Sequence, residues 1–302
     1  MLVMKPRDLV DLFLLAALWG ASFLFIRIAV PHFGPFPLIE LRVGIAALVL
    51  LPLVVLHKGM AVMGARAAPI AVVGLINSAL PFVLLAYATL TFTAGAMSLL
   101  NSTAPLFGAV IAHFWLKDRL TPARIAGLAL GLAGVAVLAG DRIAATGSNV
   151  GLAVAAALSA GLMYGLGANY TKKRLAGVPP LAVAAGSQVA AAVALLPFTL
   201  ATWPASPAPM RAWIAVVLLA VGSTAIAYIL YFRLIVNVGP TRAIAVTFLI
   251  PAFGVFWGHV VLDEPVSARM IAGAALVLGG TALTTGLVRP RVRAAVAGSR
   301  TR

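Results

Sequence analysis

The chain contains no cysteine, which excludes a disulfide framework, a thiolate metal site and thiol chemistry. Charge is nearly as scarce. Charged residues are 10% of the 302, where a soluble domain carries about 25%. Acids are the rarest, with 7 Asp and Glu against 22 Lys and Arg. Of these acids only Glu40 falls well inside an apolar run, so a pair of mid-membrane carboxylates for aspartyl proteolysis is missing. No Gly-x-x-x-x-Gly-Lys-Ser/Thr phosphate loop and no His-Glu-x-x-His motif occurs. Gly222-Ser223-Thr224 has no histidine at its depth, which counts against serine-type intramembrane proteolysis. Neither rings of charge nor filter loops of a channel are visible. The expectation is a non-enzyme without metal or cofactor.

What the chain has is apolar length. Hydrophobic residues are 63% of the sequence and the mean hydropathy is +1.09. With so little charge, most of the surface must face lipid, where every backbone polar group needs an internal partner. The apolar runs are long and do not alternate, which predicts helices and not a barrel. Ten spans are predicted: Leu9 to Val30, Phe36 to His57, Pro69 to Leu90, Ala94 to Trp115, Ala123 to Ala139, Val150 to Tyr170, Pro180 to Ala201, Ala212 to Leu234, Ala243 to Leu262 and Ala268 to Val288. The first run is too long for a signal-peptide core and no small-residue cleavage site follows it. The net charge of +15 reads as loops held against an anionic leaflet, with no nucleic-acid partner.

Seventeen Lys and Arg fall on the side that holds both termini, against Arg142, Arg211 and Arg269 on the other; Arg27 and Arg42 lie within spans. The positive-inside bias places both termini in the cytoplasm, as an even number of spans requires. The second half repeats the first. Pro105 to Gly134 aligns without a gap to Pro251 to Gly280, with twelve of thirty positions identical. Trp19-Gly20 meets Tyr164-Gly165 at nearly the same offset, and Lys117-Asp118-Arg119 is matched by Asp263-Glu264-Pro265. Five spans per copy is odd, so the second copy is inserted upside down. The expected fold is an all-α integral membrane protein of ten transmembrane helices in two inverted five-helix repeats, residues 1–146 and 147–288, followed by a basic tail, 289–302.

Leu18-Trp19-Gly20-Ala21-Ser22, Arg42, Pro105 with Leu116-Lys117-Asp118, Gly127, Pro251 with Leu262-Asp263-Glu264-Pro265, and Gly273 together resemble the drug/metabolite transporter superfamily in its EamA branch. Within that branch the chain is similar to the YddG-type aromatic amino-acid exporters of bacteria. The family usually has Gly-Glu after the leucine in both halves, and the first copy here reads Lys-Asp. The resemblance implies alternating access and export of metabolites or amino acids across the bacterial inner membrane.

Inverted-repeat transporters bind substrate near the midplane, where helices are broken. Pro81, Pro105 and Pro251 are mid-span, and each frees a backbone carbonyl. Ser98, Asn101 and Pro105 share one helical face by their i, i+3, i+7 spacing. Asn101 and that carbonyl suit an amino-acid head; helix-to-helix hydrogen bonding is the competing role for the serines and Thr224. Trp19 and Tyr164, as repeat partners, are expected to face each other and hold an apolar or aromatic substrate. Ser22, Asn77, Tyr228 and Thr247 complete the candidate lining, and Tyr87, near a span end, is either lining or interfacial. Glu40 and Arg42 are two apart, do not pair locally, and are read as a gate or a structural charge. Arg27 is expected to snorkel. His113 and His259 read as packing. Gly127 with Gly131, and Ala275 with Gly279, make small-residue faces. The expected partners are the lipid bilayer and a small apolar or aromatic amino acid, the chain acting as a monomer or weak dimer. With no clearly central carboxylate, transport down the substrate gradient is favoured over proton coupling.

Overall fold

A computed structural model describes residues 5–146, 148–239, 243 and 246–285. Ten helices cross the molecule: α1 (Pro6–Phe33), α2 (Pro35–Leu56), α3 (Ala67–Thr89), α4 (Ala94–Leu116), α5 (Pro122–Thr146), α6 (Ser148–Arg174), α7 (Pro180–Thr202), α8 (Met210–Val238), α9 (Val246–Leu262) and α10 (Ala268–Thr285). Nine are long and apolar enough to cross a membrane, and α9 has 17 described residues. The only other helix among the described residues is a short turn, Met60–Ala65, between α2 and α3. Every predicted span coincides with one of these helices. The tail 289–302, residue 147 at the junction of the halves, Arg242 and the end of the tenth predicted span lie outside the described residues.

The packing follows the repeat. α1 packs on α9 as α6 packs on α4, α3 lies on α6 as α8 lies on α1, and α2 meets α8 as α7 meets α3. α2 with α7, and α5 with α10, meet their own repeat partners. The α1–α9, α4–α6 and α5–α10 contacts are made at glycines. A Cβ at Gly20 would lie 2.6 Å from the Cβ of Phe253 on α9, and one at Gly165 would lie 2.7 Å from Gly108 N on α4. In the α5–α10 crossing, a Cβ at Gly280 would lie 2.5 Å from Gly127 O, and one at Gly134 would lie 2.9 Å from Gly273 O. That interface therefore uses Gly273 and Gly280 of α10, seven apart, and not the face of Ala275 and Gly279, where a Gly279 Cβ meets only Leu130 at an ordinary 3.6 Å.

Both halves end their fourth helix in the same way. Lys117 (φ 58°) and its counterpart Asp263 (φ 53°) are left-handed. The following amides, Asp118 N and Glu264 N, reach back to Ala112 O and Gly258 O at 3.2 and 3.1 Å. His113 Nδ1 and His259 Nδ1 each lie within bonding distance of the carbonyl five residues on, 2.8 and 3.1 Å. This is a Schellman-like stop, whose left-handed position favours glycine.

Two departures from regular helix lie at mid-depth. α4 is interrupted at Ser102 and Thr103, between Ala94–Asn101 and Ala104–Leu116. Pro105 has no N–H for the Asn101 carbonyl, and three-residue turns such as Ser102 N to Leu99 O and Leu106 N to Thr103 O replace the helical ladder. α3 and α8, which are repeat partners, each contain a π-helical stretch, Leu75–Ala79 and Leu218–Ile226. Pro81 denies a donor to the Asn77 carbonyl in the first. In the second, Thr224 Oγ1 donates to Leu219 O, five residues back, at 2.9 Å.

Candidate functional site

Between the two halves lies a cavity of about 940 Å³. α1, α2, α3, α4, α6, α8 and α9 contribute its mid-depth wall, and it extends to Asp118, Arg124, Lys172, Thr284 and Thr285. Those residues belong to the face at which α1 begins and α10 ends, here the terminal face. Toward the opposite face the lining goes no further than Ile26 and Leu85. Beyond them Ala29, Val30, Phe33, Leu38, Ile39, Ala86, Leu195, Ala212 and Val216 pack as one buried cluster. Phe33 sits edge-on to Trp213 with centroids 4.8 Å apart, and Phe36 stacks on Phe198. The cavity is open on one face only.

On the closed face Glu264 accepts hydrogen bonds from Ala94 N (2.9 Å) and Gly95 N (3.3 Å), the first amides of α4. Arg27 donates to Thr89 O (2.6 Å) and Leu90 O (3.3 Å). It therefore caps the end of α3 instead of snorkelling, because the four last carbonyls of a helix lack internal donors. On the open face Asp118, the repeat partner of Glu264, pairs with Arg124 at 3.3 Å with 57% of its side chain exposed. Toward the same face Asp11, buried in α1, accepts from the Nε of Arg233 on α8 at 2.7 Å and also from its Nη2.

The structure brings Trp19, Ser22, Asn77, Asn101, Pro105, Tyr164, Tyr228, Thr247 and Arg42 to the cavity wall. It leaves Ser98, Pro81, Pro251, Tyr87 and Glu40 off it. Ser98 is fully buried and donates to Gly95 O (2.7 Å) and Pro251 O (3.5 Å), where α4 crosses α9. The break at Ser102 ends the regular register, so the i, i+3, i+7 face does not continue from Ser98 through Pro105. Pro251 is buried beside that crossing, and Pro81 is buried after the π-helical turn. Tyr87 is 39% exposed near the end of α3. Glu40 lies on α2 outside the cavity, with a buried Oε2 that has no hydrogen-bond partner. Trp19 and Tyr164 do not stack on each other: Trp19 lies against Tyr231 (5.2 Å) and Tyr164 against Phe82 (6.4 Å).

Within the wall the Asn101 Oδ1 and the Ser223 Oγ are buried without partners. Buried polar atoms are seldom left so, and both belong to residues of the cavity wall. Ser22 Oγ donates to Trp19 O. Asn169 was not singled out from the sequence, yet it lines the cavity and donates to Gly108 O (3.0 Å) and Gly165 O (2.8 Å). Its signal was the same as that of Asn101, an amide inside an apolar run. Phe82 and Phe248 also line the cavity and carried no distinguishing signal among the phenylalanines. No group of three or more His, Cys, Asp or Glu residues that could hold a metal occurs among the described residues.

The sequence matches the EamA-like transporter family twice, over residues 10–140 and 151–286. It is 28% identical over 267 residues to a probable terminal-alkyne amino-acid exporter of Streptantibioticus cattleyicolor, covering 88% of this chain and 89% of that one. It is 25% identical to a probable amino-acid metabolite efflux pump of Salmonella typhimurium, over 98% of this chain and 100% of that one. An uncharacterized transporter of Archaeoglobus fulgidus is 23% identical over 87% of this chain and 92% of its own length. A protein solved by crystallography superposes with a TM-score of 0.67 at 22% identity, covering 95% of this chain and 100% of that one, which is a likeness of fold.

Proposed function

The chain belongs to the EamA-like transporter family, and from that premise we propose that it exports small apolar or aromatic amino acids by alternating access. The carrying observation is the cavity open on one face, with Trp19, Tyr164 and Tyr228 beside Asn77, Asn101 and Ser223 in its wall. The rings suit an apolar side chain. The amide of Asn101, a wall residue, suits an ammonium group. In this reading the termini are cytoplasmic, so the open face is the loading side, and residues 1–146 and 147–288 are the halves that rearrange. One relative is named a probable terminal-alkyne amino-acid exporter and another a probable amino-acid metabolite efflux pump, which supports the substrate class.

A carrier with one closed face exchanges substrate and saturates, whereas a channel or scramblase does neither. The test is counterflow in proteoliposomes across a panel of amino acids. Saturable exchange of phenylalanine, tryptophan or leucine, with little exchange of lysine or glutamate, is the expected result. Non-saturating flux, or exchange limited to charged amino acids, sinks the reading.

A further inference from the structure

We propose that Arg42 is the carboxylate-binding residue of the cavity, so that the transported molecule is an acid whose remainder is apolar or aromatic. The proposal rests on the reading of the cavity as the substrate path and adds what fixes the substrate's charged end.

Arg42 lies seven residues from the start of α2, roughly 10 Å along the helix axis. It is only 5% exposed and forms part of the cavity wall. Two neighbours hold the guanidinium. Its Nε donates to Thr224 Oγ1 at 3.0 Å, and that hydroxyl in turn donates to Leu219 O, so it has no freedom to turn away. The guanidinium carbon sits 3.6 Å from the centre of the Phe82 ring, which covers one face. Both Thr224 and Phe82 belong to the π-helical region or its immediate continuation in the repeat-related helices α8 and α3. The irregular backbone thus serves to place a clamp around one side chain.

No carboxylate completes the clamp. Asp118 pairs with Arg124 and Asp11 with Arg233, and Glu40, two residues away on α2, has an Oε2 without any hydrogen-bond partner. Glu264 is committed to the start of α4, and Asp8 accepts from Asn237. No hydrogen bond from Nη1 or Nη2 of Arg42 to a described residue accompanies that from Nε. A buried cation without a counter-charge is costly, and a ring face together with one hydroxyl is weak compensation for lost water. A guanidinium with its Nη pair available is a fork shaped for two parallel bonds to a carboxylate. In a protein of this kind a pathway cation whose partner is the cargo is neutralised only when loaded.

The test is calorimetric titration of the protein in lipid nanodiscs with four ligands: phenylalanine, phenylalaninamide, 3-phenylpropionate and hexanoate. Phenylalanine and 3-phenylpropionate should bind roughly tenfold or more tighter than the amide, since charge-assisted hydrogen bonds are lost with the carboxylate. In Arg42→Gln that preference should fall to about threefold or less, and Arg42→Lys should recover part of it. If Arg42→Gln does not fold, Arg42→Lys takes its place, and a carboxylate preference unchanged in that variant overturns the assignment. Equal binding of phenylalanine and its amide overturns the assignment to Arg42 and leaves the amino-acid reading standing. Binding of hexanoate without any aromatic ligand upholds Arg42 and overturns the aromatic cavity. Binding of no carboxylate overturns both.

Discussion

Glu264 and Asp118 occupy the same position of the repeat in opposite environments, so the same truncation should cost very different amounts. Glu264 accepts two backbone N–H bonds, from Ala94 and Gly95, at the start of α4. Truncation to Ala removes both and leaves two amides of a helix N-terminus without an acceptor. Hydrogen bonds to a charged group contribute about 1.5–3 kcal/mol where buried, and a carboxylate at a helix N-terminus about 0.3–1 kcal/mol. Glu264 is partly exposed, so water replaces some of this, and about 2 kcal/mol is expected for Glu264→Ala. Asp118 contacts Arg124 at 3.3 Å with 57% of its side chain exposed, the geometry of a surface pair with a contribution of about 0–1 kcal/mol. The assay is thermal unfolding in detergent, monitored by tryptophan fluorescence. Glu264→Ala should melt several degrees lower, and Asp118→Ala within about a degree of the parent. Glu264→Gln keeps an acceptor oxygen and should lie between. Equal shifts for the two positions would refute the claim that the two faces differ in closure.

The left-handed Lys117 (φ 58°) carries a cost of about 1–2 kcal/mol that glycine lacks, so Lys117→Gly should raise the melting temperature, and a lower one would contradict the geometry. Gly280→Ala would place a Cβ 2.5 Å from Gly127 O; the helices α5 and α10 must then part, and stability, read as the melting temperature, should drop by about 1–3 kcal/mol as is typical of overpacking, whereas Gly279→Ala should be tolerated. Trp19→Ala should weaken binding of aromatic substrate several-fold, as befits an aromatic contact of about 0.5–1.5 kcal/mol, with folding unchanged; wild-type binding would make Trp19 a packing residue. Efflux from liposomes should be little altered when a proton gradient is collapsed, in parent and Glu40→Gln alike; a strong dependence abolished by that substitution would make Glu40 a proton carrier.

Ten helices and their repeat were legible because bilayer thickness sets a length that the sequence must match, and because Pro105 and Pro251, or Gly108 and Gly254, mark equivalent places. The left-handed stop at Lys117 was less visible, since the glycine that usually announces it is absent there. The cavity was half visible. Trp19, Asn101 and Tyr164 stand out as polar or aromatic residues inside apolar runs. Which way each points depended on the break at Ser102 and the π-helical turns in α3 and α8, where one extra residue per turn shifts the register. Ser98 packs on Gly254 where α4 crosses α9, and Arg42 turned to the cavity because Thr224 and Phe82 hold it. Arg27 was misjudged as a snorkelling cation because its partners, the carbonyls of Thr89 and Leu90, belong to another helix and carry no side-chain signature.

The absence of native cysteine makes one measurement direct. Ala168 lines the cavity on the side of its mouth, so Ala168→Cys introduces a single thiol into the proposed path. A membrane-impermeant maleimide applied to the terminal face of oriented vesicles should label it, and saturating phenylalanine should slow that labelling severalfold while lysine does not. Labelling that no amino acid slows would contradict the assignment of this cavity as the route of an amino-acid exporter.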